Sequence, residues 1–131
     1  MKSRRFYVTQ YALIFRKSKI LMLKDKCPCF AQNKWVFPGG HIDKESDPIQ
    51  ALKRELKEET SMNLVKSLPV RTNIYKYPSG WRYRVYFKCG VKGKIKLSQE
   101  HSEYKWITKR DIRKMVFRDR DLKKVVIEFL R

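Results

Sequence analysis

The chain has 131 residues, 42% hydrophobic and 13% aromatic, with 32 Lys+Arg against 13 Asp+Glu and a formal net charge of +19. Such a length suits one domain that builds its own core without disulfide staples; the composition excludes a disordered chain, and no apolar run approaches the ~18 residues of a membrane span. The excess of base attracts polyanions, whether nucleic acid, nucleotides or an anionic membrane surface, and it is spread along the chain rather than gathered in one arm.

The opening MKSRRFYVTQYALIF is basic and then apolar, but Thr9 and Gln10 interrupt the run and no small-residue cleavage site follows, so it does not read as a signal peptide. Residues 6–15 and 19–23 are β-branched, aromatic and aliphatic, and the polar RKSK between them predicts a hairpin turn. Cys27, Cys29 and Cys89 are odd in number, and Cys27-Pro28-Cys29 is half of a metal site with no second half nearby. Free thiols and a cytoplasmic location are expected. A short strand at 35–37 is expected to stop at Pro38-Gly39-Gly40. Asp47 then caps a helix, with Pro48 at its first position, that runs to about Ser61.

On that helix Ile49, Leu52 and Leu56 share an apolar stripe, and Glu55, Glu58 and Glu59 fall on the adjoining arc. Two more strands, 70–77 and 81–89, flank Pro78-Ser79-Gly80. In the second, Trp81, Tyr83, Val85, Phe87 and Cys89 alternate with Arg82, Arg84, Tyr86 and Lys88, which predicts one buried and one basic face. Short strands at 94–97 and 104–107, a short helix at 108–116 and a last helix at 119–130 complete the pattern. The last helix carries Leu122, Val125, Val126, Phe129 and Leu130 on one stripe. Strands, helix, strands, helix indicate an α/β chain: a mixed sheet with helices packed on it, expected as a single domain over 1–131.

The acids are not spread like the bases. Asp43, Glu45, Asp47, Glu55, Glu58 and Glu59 are six of the 13, all within residues 43–59. Glu55 and Glu59 are i,i+4 like charges, which costs a few tenths of a kcal/mol on a helix. Two readings stay open: an ordinary solvated face with Arg54 paired to Glu58, or a carboxylate cluster that meets a divalent cation.

Residues 39–62, GGHIDKESDPIQALKRELKEETSM, closely resemble the signature of the Nudix hydrolases, G-x5-E-x7-R-E-U-x-E-E-x-G-U with U a bulky aliphatic residue. With Gly40 first, Arg54, Glu55, Leu56, Glu58, Glu59 and Met62 match. Ser46 replaces the first glutamate, with Glu45 one residue earlier, and Ser61 replaces the second glycine. The resemblance implies a Nudix-like α/β/α sandwich with a mixed sheet and a Mg²⁺- or Mn²⁺-dependent pyrophosphohydrolase. It implies metal ligands at Glu55, Glu58, Glu59 and the Gly39 carbonyl, and catalytic roles for Glu55 and Arg54. Hard carboxylate oxygens suit Mg²⁺, which keeps water for substrate phosphates; Glu55 could accept a proton from the attacking water; Arg54 is expected to orient a glutamate. Ser46 brings no charge to the metal shell unless Glu45 substitutes.

A downstream loop glutamate adds a ligand or base in many Nudix proteins, and of Glu100 and Glu103 the second is favoured. His41 and His101 are read as surface residues that could contact phosphate. Among Trp35, Phe37, Tyr75, Tyr77 and Trp81 a base-stacking platform is possible, most being core. The substrate implied is a nucleoside diphosphate linked to another moiety: ADP-ribose, a dinucleoside polyphosphate or a nucleoside triphosphate. Tyr77 and Pro78 both fall where the family's specificity marks are sought, so neither class is selected. The alternative is an RNA-binding module or an RNA 5′-end pyrophosphohydrolase, with Arg82 and Arg84 as polyanion contacts. Membrane insertion is not expected, and the oligomeric state is left open.

Overall fold

A computed structural model describes residues 3–28 and 31–130. The spine is β1 (Phe6–Arg16), which turns through Lys17, with φ 54°, into antiparallel β2 (Lys19–Asp25). Next come β3 (Trp35–Val36), β4 (Gly39–His41), α1 (Pro48–Thr60), β5 (Asn63–Tyr77), β6 (Gly80–Lys92) and β7 (His101–Ile107). A 3₁₀ turn (Lys109–Lys114) and α2 (Arg120–Phe129) follow. The strands make one mixed sheet in the order β3-β2-β1-β6-β5, with β4 also paired to β1 and β7 to β2. Only β1 and β6 run parallel.

The register divides the sheet into two faces. Tyr7, Thr9 and Tyr11 of β1 stand beside Arg82, Arg84 and Tyr86 of β6. Gln10, Ala12 and Ile14 stand beside Val85, Phe87 and Cys89 on the other face. The helix α1 packs against β4, β5 and β1, burying Leu52 and Leu56 while Ile49 stays at the margin. From the opposite side Asp119, the N-cap of α2, meets Arg84, and α2 buries Leu122, Val125 and Val126.

Several expectations change. Gly39-Gly40 does not merely stop a strand; Gly39–His41 is itself a strand on β1. Gly39 has φ 150°, and a side-chain carbon there would lie 2.0 Å from the Gln10 carbonyl oxygen, so the close pairing requires glycine. No strand forms at 94–97. The Lys96 and Ser98 amides donate to the Thr60 and Glu59 carbonyls instead, and Ser61 Oγ donates to the Lys96 carbonyl. That segment satisfies the C-terminal end of α1, whose last carbonyls have no partner within the helix. Ser61 takes the left-handed conformation, φ 67°, where the signature has glycine.

The alternation in β6 also misleads. Arg84 is fully buried, as is Tyr86; on the face expected to be basic and solvated, Arg84 is met by Asp119, the N-cap of α2, and by the rings of Tyr11, Tyr75 and Tyr77. The cysteines are not all free: Cys27 is disulfide-bonded, whereas Cys89 is free, with burial pushing its thiol up to about 12. Cys29 lies outside the described residues.

Candidate active site

The cleft opens along the ends of β1, β4 and β6 and has a volume of about 760 Å³. One wall is built from α1 and the β6–β7 connection. Glu59 is nearly buried; its Oε1 accepts the Gly39 N–H at 2.7 Å, and its Oε2 lies 3.8 Å from His101 Nε2. Burial pushes this carboxyl well above the usual carboxylate range. The Gly39 amide opposes that push, and Glu55, Glu100 and Asp25 add to it by repulsion. Glu55 stands directly behind Gly40, where an added side-chain carbon would lie 2.6 Å from its carboxyl carbon. Burial raises its pKa too, more than Arg54 lowers it.

Arg54 holds the acids in place. Its Nε donates to Glu45 Oε2, its Nη1 to Glu55 Oε1 at 3.0 Å and to Glu58 Oε2 at 3.2 Å, and its Nη2 to the His41 carbonyl at 3.4 Å. The Arg54 bond pulls Glu45 down to about 2. The glutamate one residue early therefore occupies the arginine, and Ser46 is exposed. Glu58 is the outermost of the three helix acids, its side chain 60% exposed.

The expected residues separate. Gly39, Glu55 and Glu59 come together, with Arg54 and Glu58 at the rim. Glu103 does not join them: it lies within β7, exposed, 3.9 Å from Lys24. Glu100 faces the cleft instead, beside His101. The strand begins at His101, so a residue two positions further along is carried away from the loop that reaches the acids. Glu59, Glu100 and His101 offer ligand atoms all within 4.8 Å of one another. His101 is buried rather than a surface residue, and burial keeps it neutral more strongly than Asp25 and Glu100 favour its charge. His41 is exposed, bonded through Nδ1 to Thr9 Oγ1 at 3.1 Å. Of the aromatics, Trp35 and Phe37 are core, Phe37 and Tyr77 line the cleft, Tyr75 packs on Arg84, and Trp81 lies under Arg4.

A divalent cation fits this donor set. A buried carboxylate among other acids, with one hydrogen-bond donor upon it among the described residues, calls for a counter-charge that an oxygen-seeking cation supplies. Sequence reasoning passed over Asp25 and Arg118 and offered Arg82 only as a polyanion contact; the fold brings all three to the cleft, from β2, the cap of α2 and β6. No spacing signal links them.

A mixed sheet with a helix on each face and a carboxylate-lined cleft defines a fold shared with known enzymes. The structure superposes on a NUDIX hydrolase from Nitrosomonas europaea with a TM-score of 0.83, at 22% identity, covering 95% of this chain and 88% of that one. The NUDIX domain family matches residues 6–127. An 8-oxo-dGTP diphosphatase of Buchnera aphidicola subsp. Schizaphis graminum is 29% identical over 102 residues, 77% of this chain and 76% of that protein. An RNA pyrophosphohydrolase of Nitratiruptor sp. is 28% identical over 116 residues, 76% of this chain and 75% of that protein. The chain belongs to the NUDIX family and is a Nudix hydrolase. No helix among the described residues is long and apolar enough to cross a membrane.

Proposed function

We propose that the protein hydrolyses the diphosphate linkage of a nucleoside diphosphate joined to another moiety, with Mg²⁺ or Mn²⁺. The observation that carries this reading is Glu59: a buried carboxylate at the cleft wall, with Glu55, Glu100 and Asp25 raising its proton affinity. Glu59, Glu55, Glu100 and the Gly39 carbonyl would hold the cation, with Glu58 at the rim. His101 nitrogen is better tolerated by Mn²⁺ than by Mg²⁺. When bound, the cation would neutralise diphosphate charge and stabilise displacement at phosphorus.

The remaining work falls to the chain. Glu55, half-buried and of raised proton affinity, is placed to take the proton from attacking water. Arg54 is the positioning residue, aligning Glu55 and Glu58 while Glu45 anchors its other side. The cleft is of a size that encloses a nucleotide. A nucleotide panel with and without EDTA tests the reading, using wild type and Glu59→Gln. Turnover should need the metal, and Glu59→Gln should lower it at least about a hundredfold with the fold retained. Metal-independent turnover, or none on any diphosphate-containing compound, refutes it.

A second reading takes an RNA 5′ end as substrate, or RNA as a bound partner. It is favoured by the charge of +19 and by the relative named as an RNA pyrophosphohydrolase. Arg84 does not serve it, being buried against Asp119. Adding 5′-triphosphorylated RNA to the panel and varying salt separates the two, since log K falls by about 0.7 per phosphate contact on a single strand for each unit of log[salt].

A further inference from the structure

The strands β1, β5 and β6 carry eight basic residues and no acid. Their register sets Phe6, Trp81 and Lys76 in one row and Val8, Tyr83 and Ile74 in the next, on one face. Thr9, Tyr11 and Arg82, which line the cleft, alternate with them on the other face, and none of these six lines it. Further along, the same face is buried at Ala12, Ile14, Phe87 and Cys89. Here it is open: Phe6 is 37%, Tyr83 38% and Ile74 49% exposed. Phe6 meets Trp81 and Tyr83 edge to face, at 6.3 and 6.4 Å between centroids. Arg4 and Lys76 lie over the Trp81 ring, 3.9 and 5.3 Å from its centroid.

An open apolar patch marks a contact site, and the charge around it decides the partner. Arg4 and Lys76 border the rings, so a second copy of this chain would set like charges together. A polyanion meets them favourably. Among polyanions, a single strand of nucleic acid offers both halves of the match, phosphates for the cations and unpaired flat nucleobases for the rings. A duplex keeps its nucleobases in the stack. An anionic membrane is entered by an amphipathic helix whose apolar side chains sink below the headgroups, and here the rings lie along strands. Stacking on rings tolerates every nucleobase, and the planar guanidinium of Arg4 extends the platform.

We propose that this open sheet face binds single-stranded nucleic acid, stacking nucleobases on Phe6, Trp81 and Tyr83 while Lys76 meets the phosphates. The surface goes beyond the readings above: it lies outside the cleft and needs no 5′ phosphate. The test titrates a labelled 5′-hydroxyl oligouridylate into wild type, Tyr83→Leu, Lys76→Gln and Glu59→Gln over a range of salt, and follows tryptophan emission in wild type and Trp81→Phe. Tyr83→Leu should weaken binding about tenfold through the loss of one stacking ring. Lys76→Gln should flatten the slope of log K against log[salt] by about 0.7. Glu59→Gln should bind as wild type does. Binding should quench the emission of wild type and scarcely change that of Trp81→Phe, since Trp35 is core and Trp106 lies on β7. If Tyr83→Leu does not fold, Lys76→Gln, an exposed position, decides.

No binding by wild type, unchanged binding by Tyr83→Leu and Lys76→Gln, or a loss in Glu59→Gln in their place overturns the proposal. An oligouridylate–oligoadenylate duplex bound as tightly as the single strand also overturns it, leaving adhesion by charge alone. A Tyr83-dependent dimer in sedimentation, or Tyr83-dependent capture by phosphatidylserine vesicles, in place of oligonucleotide binding overturns it too and gives the face to a second copy or to a membrane. Oligonucleotide binding without nucleotide turnover upholds the proposal while the hydrolytic reading fails; turnover without such binding does the reverse.

Discussion

Arg54 and Arg84 each hold carboxylates, the first from α1 and the second from β6. Arg54 sits at the cleft rim, a third exposed, and divides its donors among Glu45, Glu55 and Glu58. Arg84 is fully buried, gives two donors to Asp119 and one bond to the Tyr77 hydroxyl at 2.7 Å, and lies over Tyr75. Burial lowers its proton affinity, but Asp119 outweighs that and the pKa is raised. One arginine is shared among several acids at the cleft rim; the other gives two donors to a single buried acid, Asp119, which also caps α2 and lies 3.8 Å from Arg118 Nε. The same ion-pair chemistry thus orients acids where it stays wet and shared, and fastens a helix cap to a strand where it is buried.

The sharpest way to break the comparison is Arg84→Met. Leaving Asp119 buried without its partner should cost about 3–5 kcal/mol, seen as a large drop in thermal midpoint, with metal-dependent turnover retained below the transition. Asp119 also caps α2, so Asp119→Ala should be no milder. If Arg84→Met melts like wild type, the buried pair does not fasten α2.

Arg54→Gln should do the reverse. Stability should fall by about 1 kcal/mol, as expected for a partly exposed pair, while turnover should fall about 10–100-fold through misplaced carboxylates. The loss should appear in kcat and in metal affinity, and Arg54→Lys should recover only part of it, since one ammonium cannot span three acids. Loss of folding with normal kinetics in the survivors would make Arg54 a scaffold residue like Arg84.

The acids of the rim predict two opposite pH effects. Glu59 binds its proton more tightly folded than unfolded, where 4.5 is the ordinary value. The native state therefore holds more protons above that pH, and ionising Glu59 costs stability as pH rises through its raised folded value. In EDTA, Glu59→Gln should gain thermal midpoint over wild type, and the gain should grow as pH rises above 4.5; Mg²⁺ should shrink it by stabilising wild type. Glu45, held near 2, has the other sign: its contribution is present above 4.5 and is lost as pH falls toward 2. Glu45→Gln should differ from wild type at neutral pH and converge with it in acid. A pH-independent gap for either variant contradicts the assignment.

The smallest effect is expected from Ser46→Glu. Because Glu45 already engages Arg54, a second glutamate there should change metal affinity and turnover by less than about twofold, a shift below roughly 0.4 kcal/mol, as measured by Mn²⁺ titration. A large rise would mean that the serine weakens the cation site and that Glu45 is only an anchor.

What the sequence determined by itself was local and repetitive. Asp47 and Pro48 start α1, its 3.6-residue period aligns Leu52 with Leu56 and sets Glu55, Glu58 and Glu59 beside them, and alternation marks the strands. Each of these follows from backbone geometry over a few residues, which is why the carboxylate arc was legible before any fold was known. What only the tertiary structure decided was which faces are covered and which distant residues meet. Alternation in β6 cannot tell that Asp119 meets Arg84, because an arginine reads as solvated until a buried partner 35 positions away is in view. The choice of Glu100 over Glu103 depends on where β7 begins, and the placement of both Arg82 and Arg118 at the cleft depends on β6 and the α2 cap converging there. Burial and long-range pairing are properties of the packed sheet, and no short stretch of chain encodes them alone.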